Sequence, residues 1–339
     1  MQILLKLRSF ALFLVACACV SACTSETRDL LELETDPPSR KPIDVSRTGV
    51  NNFFVDREFG SIPQQYSEIR NTLGLRYVRV LFAWTDDVQP SPNTPPDYNF
   101  YDNIIANVPS GVDVLITVVH TPSWMASSSN WINGDPRVTW VERWLRPTVQ
   151  RYAGQPGVIG WQIWNEPDNT VVPSDSALQL TDPQNYFDLL ALGSQVVRSN
   201  DPTRLVVSAA SRSIQQNSRD NLNYNKQLQD LGAENLVDIW AIHYYGEQFE
   251  QVIISGGVAD FVNSLRVPVW VTESGEQGPD RQLQYVETVW PFLDEEMPGK
   301  IQRFYYYQFG ETGPPESNFG LRMNGPVFVS NLYTHLSER

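Results

Sequence analysis

The stretch Gly157–Trp164, which reads GVIGWQIW, decides how this sequence folds, and Asn165-Glu166-Pro167 follows it directly. A short apolar run that is rich in β-branched and aromatic residues and bounded by turn formers is typical of a buried strand. Pro268–Thr272 has the same character and is followed at once by Glu273. Each run therefore places one carboxylate at the end of a strand, and the two carboxylates are 107 positions apart (273 − 166).

The spacing of the two carboxylates fits a sheet of repeated βα units. From about Thr48 to Leu336, apolar runs alternate with longer segments of helical periodicity, as in parallel sheets with helical crossovers. Eight such units in roughly 250 residues predict an α/β fold of the (β/α)8 TIM-barrel type. Three units should span about 93 to 110 positions, which puts Glu166 after strand four and Glu273 after strand seven, at the C-terminal strand ends. The predicted strands are Gly49–Phe54, Tyr77–Phe82, Asp113–Val119, Gly157–Trp164, Arg204–Ala209, Val237–His243, Pro268–Thr272 and Ile301–Gln308.

The beginning of the chain has the order of an export signal. Lys6 and Arg8 precede the apolar run Phe10–Ala16, and small residues lead up to Cys23. Residues 1–22 are therefore predicted to be a signal peptide, residues 23–47 a flexible tether, and residues 48–339 a single domain. All three cysteines lie between positions 17 and 23, so the domain itself has no thiol for a disulfide.

The predicted cleavage region resembles a bacterial lipobox. In Val20-Ser21-Ala22-Cys23, the peptidase of that pattern would cut before Cys23, and the thiol would then carry lipid. Thr24 and Ser25 follow in place of an aspartate, which in the lipoprotein pattern implies an outer-membrane address. The alternative is an ordinary signal peptide cut after Ala22, which would leave the protein secreted. Both interpretations predict export.

The charge balance limits the partners of the mature chain. The whole sequence has 25 basic and 39 acidic residues, so removal of Lys6 and Arg8 leaves 23 − 39 = −16. This excess of acid disfavours nucleic acid and anionic membrane surfaces as partners. A neutral poly- or oligosaccharide is compatible with it, and membrane contact is expected only through the N-terminal lipid.

Two carboxylates that face each other suit the cleavage of a glycosidic bond. That reaction passes through an oxocarbenium-like transition state, in which one carboxyl group protonates the leaving oxygen and the other attacks the anomeric carbon. Asn165, next to Glu166, can donate to a sugar 2-hydroxyl. A lone glutamate at a strand end is more often a salt-bridge partner or a helix cap. The matching positions of Glu166 and Glu273 on two strands favour catalysis instead.

Several motifs resemble those of glycoside hydrolase clan A, and within it those of families 5 and 39. The motifs are LGLRYVRV at Leu73–Val80, HTPSW at His120–Trp124, WNEP at Trp164–Pro167, HYY at His243–Tyr245, VTESG at Val271–Gly275 and FGL at Phe319–Leu321. The resemblance extends from about Thr48 to Leu336. It implies a retaining β-glycosidase that cleaves poly- or oligosaccharides by double displacement.

The resemblance also implies roles for individual residues. Glu166 would be the general acid/base and would keep its proton in a less polar setting. Glu273 would be the nucleophile, and Arg79 would hold it ionised because a nearby cation favours the charged form. Tyr245, on the sixth strand, would hydrogen-bond the nucleophile.

Aromatic and histidine side chains near the strand ends are candidates for sugar binding. His120 and His243 end two strands, so they would bind sugar hydroxyls or tune the carboxylates, although a lone histidine is more often structural. Clan A members usually carry a tryptophan at the end of strand eight, whereas this chain has FYYYQF at Phe304–Phe309, and Tyr307 is expected to take that place. Three tryptophans on loops after strands two and three either form sugar platforms or pack within the fold: Trp84, Trp124 and Trp131.

No metal and no cofactor is expected. The acidic loop pieces Asp86-Asp87 and Asn133–Asp135 lack the ligand spacing of a calcium loop, and no glycine-rich phosphate loop occurs. Two alternatives to hydrolysis share the same residues. One is a non-catalytic cell-surface carbohydrate-binding protein on the same barrel, and the other is a transglycosylase, in which a sugar replaces the attacking water.

Overall fold

The computed structural model describes residues 38–55, 57–169, 173–214, 218–247, 253–323 and 328–339 of the 339-residue chain. The predicted signal peptide, the predicted lipidation at Cys23 and most of the predicted tether lie outside these residues. Across the described ranges, no helix is both long enough and apolar enough to cross a bilayer.

Eight strands form one parallel sheet. They are β1 (Thr48–Asn51), β2 (Tyr77–Ala83), β3 (Asp113–Val119), β4 (Val158–Ile163), β5 (Leu205–Ser208), β6 (Trp240–Tyr245), β7 (Val269–Gly275) and β8 (Ile301–Tyr306). The strand order is β5-β4-β3-β2-β1-β8-β7-β6, so the first and last strands are neighbours. A parallel bridge between Val207 and Ile239 joins β5 to the segment before β6 and closes the sheet. The predicted (β/α)8 barrel is thereby confirmed.

Helices follow the strands and pack against the outside of the barrel. They are α1 (Ile62–Ser67), α2 (Asn99–Ala106), α3 (Pro136–Trp140), α4 (Arg146–Tyr152), α5 (Pro183–Asn200), α6 (Ser218–Asp230), α7 (Val258–Ser264), α8 (Gln282–Glu296) and α9 (Asn331–Ser337). Asp135 and Asp182 precede prolines and accept hydrogen bonds from the first free backbone N–H groups of α3 and α5. These caps fix where the helices begin.

The last residues of the predicted tether lie against the barrel. Arg40 and Lys41 form ion pairs with glutamates of α8, and Arg47 pairs with Asp294 of the same helix. The backbone N–H of Lys41 also donates to a carbonyl of α8 at 2.8 Å. Residues 40–47 are thus tied to the barrel beside the N-terminal end of β1.

Inside the barrel, the side chains change from apolar to polar toward the C-terminal strand ends. The apolar layer consists of Tyr77, Leu115, Val207, Ala241, Trp270 and Tyr305. Successive side chains alternate between the two faces of a strand, so the residue two positions further on faces the same way. At that distance lie the mostly polar residues Arg79, Thr117, Ala209, His243, Thr272 and Tyr307. The apolar layer therefore supports a polar layer that faces the mouth of the barrel.

Glu273 lies inside β7, whereas the sequence predicted that the strand would end at Thr272. Strict alternation from Trp270 would turn Glu273 away from the interior. The register of β7 shifts against both β6 and β8 at this point, and Glu273 becomes the pairing partner of His243. An extra, unpaired residue in one strand changes the face of the sheet on which the following side chains lie. The shift therefore turns Glu273 into the barrel.

Candidate active site

Arg79 is the fully buried cation at the centre of the site. β2 brings it inside the barrel, and none of its side chain is exposed. Its guanidinium donates to Oε1 of Glu273 at 2.6 Å and to three amide oxygens at 2.6–2.7 Å, which belong to Asn51, Gln162 and Asn165. A buried charge is tolerated when it is paired and hydrogen-bonded, and Arg79 meets both conditions.

Glu273 is held at both of its carboxylate oxygens. Oε1 accepts from Arg79, and Oε2 accepts from the hydroxyl of Tyr245 at 2.8 Å. Burial and the charge of Glu273 raise the pKa of Tyr245 well above its ordinary value, so this hydroxyl keeps its proton and donates. Only 9% of the Glu273 side chain is exposed. The carboxylate is therefore both oriented and largely shielded from water, as suits a nucleophile.

Glu166 lies on a tight turn just after β4. Its φ is 45°, and its backbone N–H donates to the carbonyl of Ala210 at 2.9 Å. One carboxylate oxygen lies 3.1 Å from Nδ1 of His243, and the other accepts from the amide of Asn169 at 3.1 Å. A positive φ is uncommon for a residue with a side chain and concentrates at functional sites. With 21% of its side chain exposed, Glu166 is the more accessible of the two glutamates.

The pKa of Glu166 is shifted in the direction opposite to the one expected. Burial alone raises it, but the hydrogen bond and charge of His243, the amide of Asn169 and the charge of Arg79 together lower this pKa to about 2. These contacts favour the ionised form of Glu166 in the free protein, which is opposite to the direction that the sequence suggested. The sequence did not reveal that the imidazole and the amide would contact the carboxylate. Because the His243 imidazole lies within hydrogen-bond distance of the carboxylate, a proton can pass between the two groups, and the Glu166–His243 pair is the candidate source of the catalytic proton.

The two glutamates and His243 form a cluster. One side-chain N or O atom from each of Glu166, His243 and Glu273 lies within 4.8 Å of the other two. Carboxyl groups stand about 5–5.5 Å apart in retaining glycosidases and about 6.5–9.5 Å apart in inverting ones, so this spacing fits retention. The same three groups could surround a cation. Arg79 already neutralises Glu273, and a second positive charge beside it would be repelled.

Tyr307 lies beside the nucleophile, directly after β8. Its ring centroid is 6.0 Å from that of Tyr245 and 5.9 Å from those of Phe53 and Phe319. Burial and the charge of Glu273 raise the pKa of Tyr307, so its hydroxyl stays protonated. Sugar binding by Tyr307 stays a prediction, and this aromatic group next to Glu273 suits it.

The loops after β2 and β3 hold the other predicted binding residues. His120 has 32% of its side chain exposed, and its Nδ1 lies 2.8 Å from Asp175. Trp124 is half-buried, since its indole N–H donates to the carbonyl of Gln89 at 2.8 Å and its ring meets the edge of Trp84. Trp84 is fully buried and donates to the side chain of Gln89, so it packs in the core and is not a sugar platform. Trp131 is half-buried, and its indole N–H donates to a backbone carbonyl at 2.8 Å.

Four polar residues of the site were not predicted from the sequence. Asn51 and Gln162 brace Arg79, whereas Asn169 contacts Glu166 and Asp175 contacts His120. The first two had a usable signal, because a polar residue at an inward position of an apolar strand needs a buried partner. Asn169 and Asp175 lie on a loop, where the sequence carries no period that predicts which way a side chain points.

A parallel barrel with two facing carboxylates after strand four and in strand seven defines the class of (β/α)8 glycoside hydrolases. The family model for Cellulase, glycosyl hydrolase family 5, matches residues 40–305, and the chain belongs to this family. The expected relation to clan A is thereby confirmed. Sequence comparison with curated proteins gives no match.

Solved structures of similar fold include family 39 glycoside hydrolases and other glycosidases. A family 39 glycoside hydrolase from Bacteroides cellulosilyticus WH2 aligns with a TM-score of 0.63 at 18% identity, over 88% of this chain and 64% of that one. A monomeric β-xylosidase from Caulobacter crescentus CB15 gives 0.62 at 15% identity, over 88% and 69%. An endo-1,4-β-D-mannanase from Thermotoga petrophila RKU-1 gives 0.55 at 16% identity, over 86% and 98%. The chain thus spans slightly less than two thirds of the family 39 structure.

Proposed function

We propose that this protein is a retaining β-glycoside hydrolase that acts on poly- or oligosaccharides. The observation that carries the proposal is the approach of the Glu166 and Glu273 carboxylates to within 4.8 Å. An inverting enzyme keeps its two carboxyl groups about 6.5–9.5 Å apart, so that one of them can activate a water molecule on the face of the sugar opposite the leaving group. The shorter approach here favours direct attack on the sugar by the second carboxylate.

The reaction has two balanced steps. In the first, an oxygen of Glu273 bonds to the anomeric carbon while the bond to the leaving oxygen breaks, and the Glu166–His243 pair gives that oxygen a proton. In the second, the pair takes a proton from water, the hydroxide oxygen bonds to the anomeric carbon, and the bond to Glu273 breaks. Two inversions leave the β configuration unchanged.

The surrounding residues support these steps. Arg79 and Tyr245 orient the Glu273 carboxylate before attack, which lowers the entropic part of the barrier. The amide oxygen of Asn165 is bound by Arg79, and this contact orients its amide nitrogen for donation to the sugar 2-hydroxyl. Hydrogen bonds to that hydroxyl strengthen as charge develops in the transition state. Tyr307 replaces the usual tryptophan beneath the sugar ring.

The substrate class is a neutral β-linked glycan of the cell exterior. The similar structures include a β-xylosidase and an endo-1,4-β-D-mannanase, which makes xylans, mannans and β-glucans the first glycans to test. The N-terminal sequence supports export with lipid attached at Cys23 and an outer-membrane location. The acidic surface suits uncharged substrates.

The test is turnover of these glycans and of aryl β-glycosides by wild type and by Glu273→Ala. Loss of the nucleophile should lower kcat/KM at least ~10³-fold. Glu287→Ala, which removes a carboxylate on α8 next to Arg40, is the matched control and should retain activity. Full activity of Glu273→Ala would refute the proposal.

The alternative of a non-catalytic sugar-binding protein keeps one supporting feature, Tyr307 in place of the strand-eight tryptophan. A 2-deoxy-2-fluoro aryl β-glycoside separates the two functions, because the fluorine slows release of the covalent intermediate. A mass increase of one glycosyl unit on Glu273 excludes the binding protein. Calorimetric sugar binding without adduct or turnover supports it. A transglycosylase would form the same adduct. It would differ from a hydrolase because it releases longer products when a sugar acceptor is in excess.

A further inference from the structure

His120 is held in place by contacts from α3 and from the segment after β4. It follows β3 with a φ of 67°, and its backbone carbonyl accepts from the indole N–H of Trp140 at 3.0 Å. Its Nδ1 lies 2.8 Å from Oδ2 of Asp175, which comes from the 3-10 turn Pro173–Leu178 after β4. The ring also meets the edge of Trp164, the residue two positions before the acid/base, at 6.4 Å between centroids. The imidazole therefore stands near the acid/base segment with its backbone and one nitrogen fixed.

Asp175 is itself fixed. Its side chain is 10% exposed, and its second oxygen accepts from the hydroxyl of Thr121 at 3.1 Å. The neighbouring Ser174 hydroxyl donates to the carbonyl of Thr121 at 2.7 Å. Both carboxylate oxygens are thus occupied, and Asp175 has little freedom to leave Nδ1.

The two nitrogens of His120 then have different roles. A carboxylate only accepts hydrogen bonds, so Nδ1 must carry the hydrogen in the contact with Asp175. In a neutral imidazole the other nitrogen is an acceptor. Among the described residues, no side chain or backbone group bonds to Nε2, and the ring is 32% exposed. The open edge of His120 is therefore an acceptor for a group that donates.

We propose that Asp175 is a positioning residue that locks His120 in the tautomer with hydrogen on Nδ1, so that Nε2 selects a sugar hydroxyl able to donate. This inference rests on the proposed function for its ligand, a neutral β-glycoside. It makes one hydroxyl of the bound sugar irreplaceable by fluorine or hydrogen, since neither can donate. A carboxylate that accepts a hydrogen bond from one ring nitrogen fixes the histidine tautomer in the same way at metal and catalytic sites.

The tautomer can be measured without turnover. The chain has three histidines, so side-chain ¹⁵N spectra of the full protein contain three imidazoles, and His335→Gln and His120→Gln assign them. In its neutral form, His120 should show a protonated Nδ1 and a bare Nε2 in wild type. In Asp175→Leu it should show a mixture or the opposite tautomer, and Asp175→Glu, which keeps a carboxylate, should show the wild-type signals. Hydrogen on Nε2 in wild type, or an unchanged spectrum in Asp175→Leu, would overturn the proposal.

Asp86→Asn is the matched control. Asp86 lies on the loop after β2 and accepts from the backbone and hydroxyl of Ser123, three positions from His120. This variant removes a charge from a neighbouring carboxylate that does not touch the imidazole. Its His120 signals should match those of wild type. A tautomer change in Asp86→Asn would mean that loop packing, and not the Asp175 contact, sets the proton position, and would also overturn the proposal.

The effect of the tautomer on substrate recognition is measured as kcat/KM for a series of aryl β-glycosides. In each member of the series, one hydroxyl other than the 2-hydroxyl is replaced by fluorine. One replacement should lower kcat/KM by at least ~10-fold in wild type, about the worth of one hydrogen bond. The same replacement should have little effect in His120→Ala or Asp175→Leu. A locked tautomer without turnover of any glycoside would reject the proposed function alone, whereas turnover without the lock would reject this inference alone.

Discussion

At the scale of single residues, Arg79 holds the site together. One guanidinium contacts the nucleophile and three amides that come from β1, from β4 and from the turn after β4. The planar fork of arginine can serve these partners at once, which the point charge of lysine cannot do. The positions of Glu273 and Asn165 therefore depend on the same side chain.

Replacement of Arg79 by methionine tests this dependence. The variant keeps much of the side-chain volume but leaves the Glu273 carboxylate buried without its cation, and such losses cost about 3–5 kcal/mol. Urea unfolding followed by tryptophan fluorescence measures the change, and kcat/KM should fall with it. Arg76→Met breaks an ion pair with Asp113 in which the arginine is 59% exposed, and it should cost less than about 1 kcal/mol. Equal costs in the two variants would contradict the central role of Arg79.

At the scale of elements, the site depends on how β6 and β7 are held against each other. The hydroxyl of Ser274, next to the nucleophile, accepts from the indole N–H of Trp290 at 3.0 Å and bonds the hydroxyl of Tyr285 at 2.8 Å. Tyr285 in turn donates to the carbonyl of Tyr244 on β6 at 3.0 Å. α8 thus fixes both strands where their register shifts.

Ser274→Ala should therefore weaken more than one contact. It leaves a buried indole N–H without its acceptor, which costs about 1–3 kcal/mol. The expected result is a lower free energy of unfolding and a smaller kcat, because the shift in β7 that directs Glu273 is less constrained. Thermal unfolding and turnover of an aryl β-glycoside measure the two effects. Ser199→Ala, an exposed serine on α5, is the control and should change neither, so comparable losses in both variants would argue against the network.

Strands and helices whose apolar residues recur at regular intervals could be predicted from the sequence, whereas irregular segments could not. β3 has the predicted bounds, because its residues are almost all apolar and turn formers flank them. The register shift in β7 was not predicted, because strict alternation of side chains assumes that every residue of a strand pairs with one residue of the neighbouring strand. The prediction of Glu273 as a site residue used only its position after an apolar run and did not depend on the direction of its side chain. The pairing of His243 with Glu166 and of Asp175 with His120 depends on contacts between distant strands and loops.

At the scale of the whole molecule, the interior of the barrel has an apolar end and a polar end. The apolar layer fills the lower interior, and the segment 40–47 is bound to α8 beside the N-terminal end of β1. The polar layer and its loops occupy the opposite end, where the chain gathers buried charge. Changes at the catalytic end therefore alter the pH dependence of folding.

Glu166 should contribute to stability in a pH-dependent way. Its pKa is about 2 in the folded protein and 4.5 ordinarily, so the ionised form stabilises the fold fully above about pH 5, and that contribution is lost as the pH falls toward 2. The advantage of wild type over Glu166→Gln in unfolding free energy should shrink by about 2 kcal/mol between about pH 5 and pH 3. Urea unfolding at several pH values measures it. A difference that stays constant over this range would show that His243 does not hold the carboxylate ionised.

The configuration of the first product tests the central claim most directly. Hydrolysis of an aryl β-glycoside can be followed by ¹H NMR during the first minutes, before the released sugar mutarotates. Two displacements at carboxylates within 4.8 Å predict that the β anomer appears first and the α anomer later. An α anomer as the initial product would mean that water attacks the sugar directly, and Glu273 would not be the nucleophile.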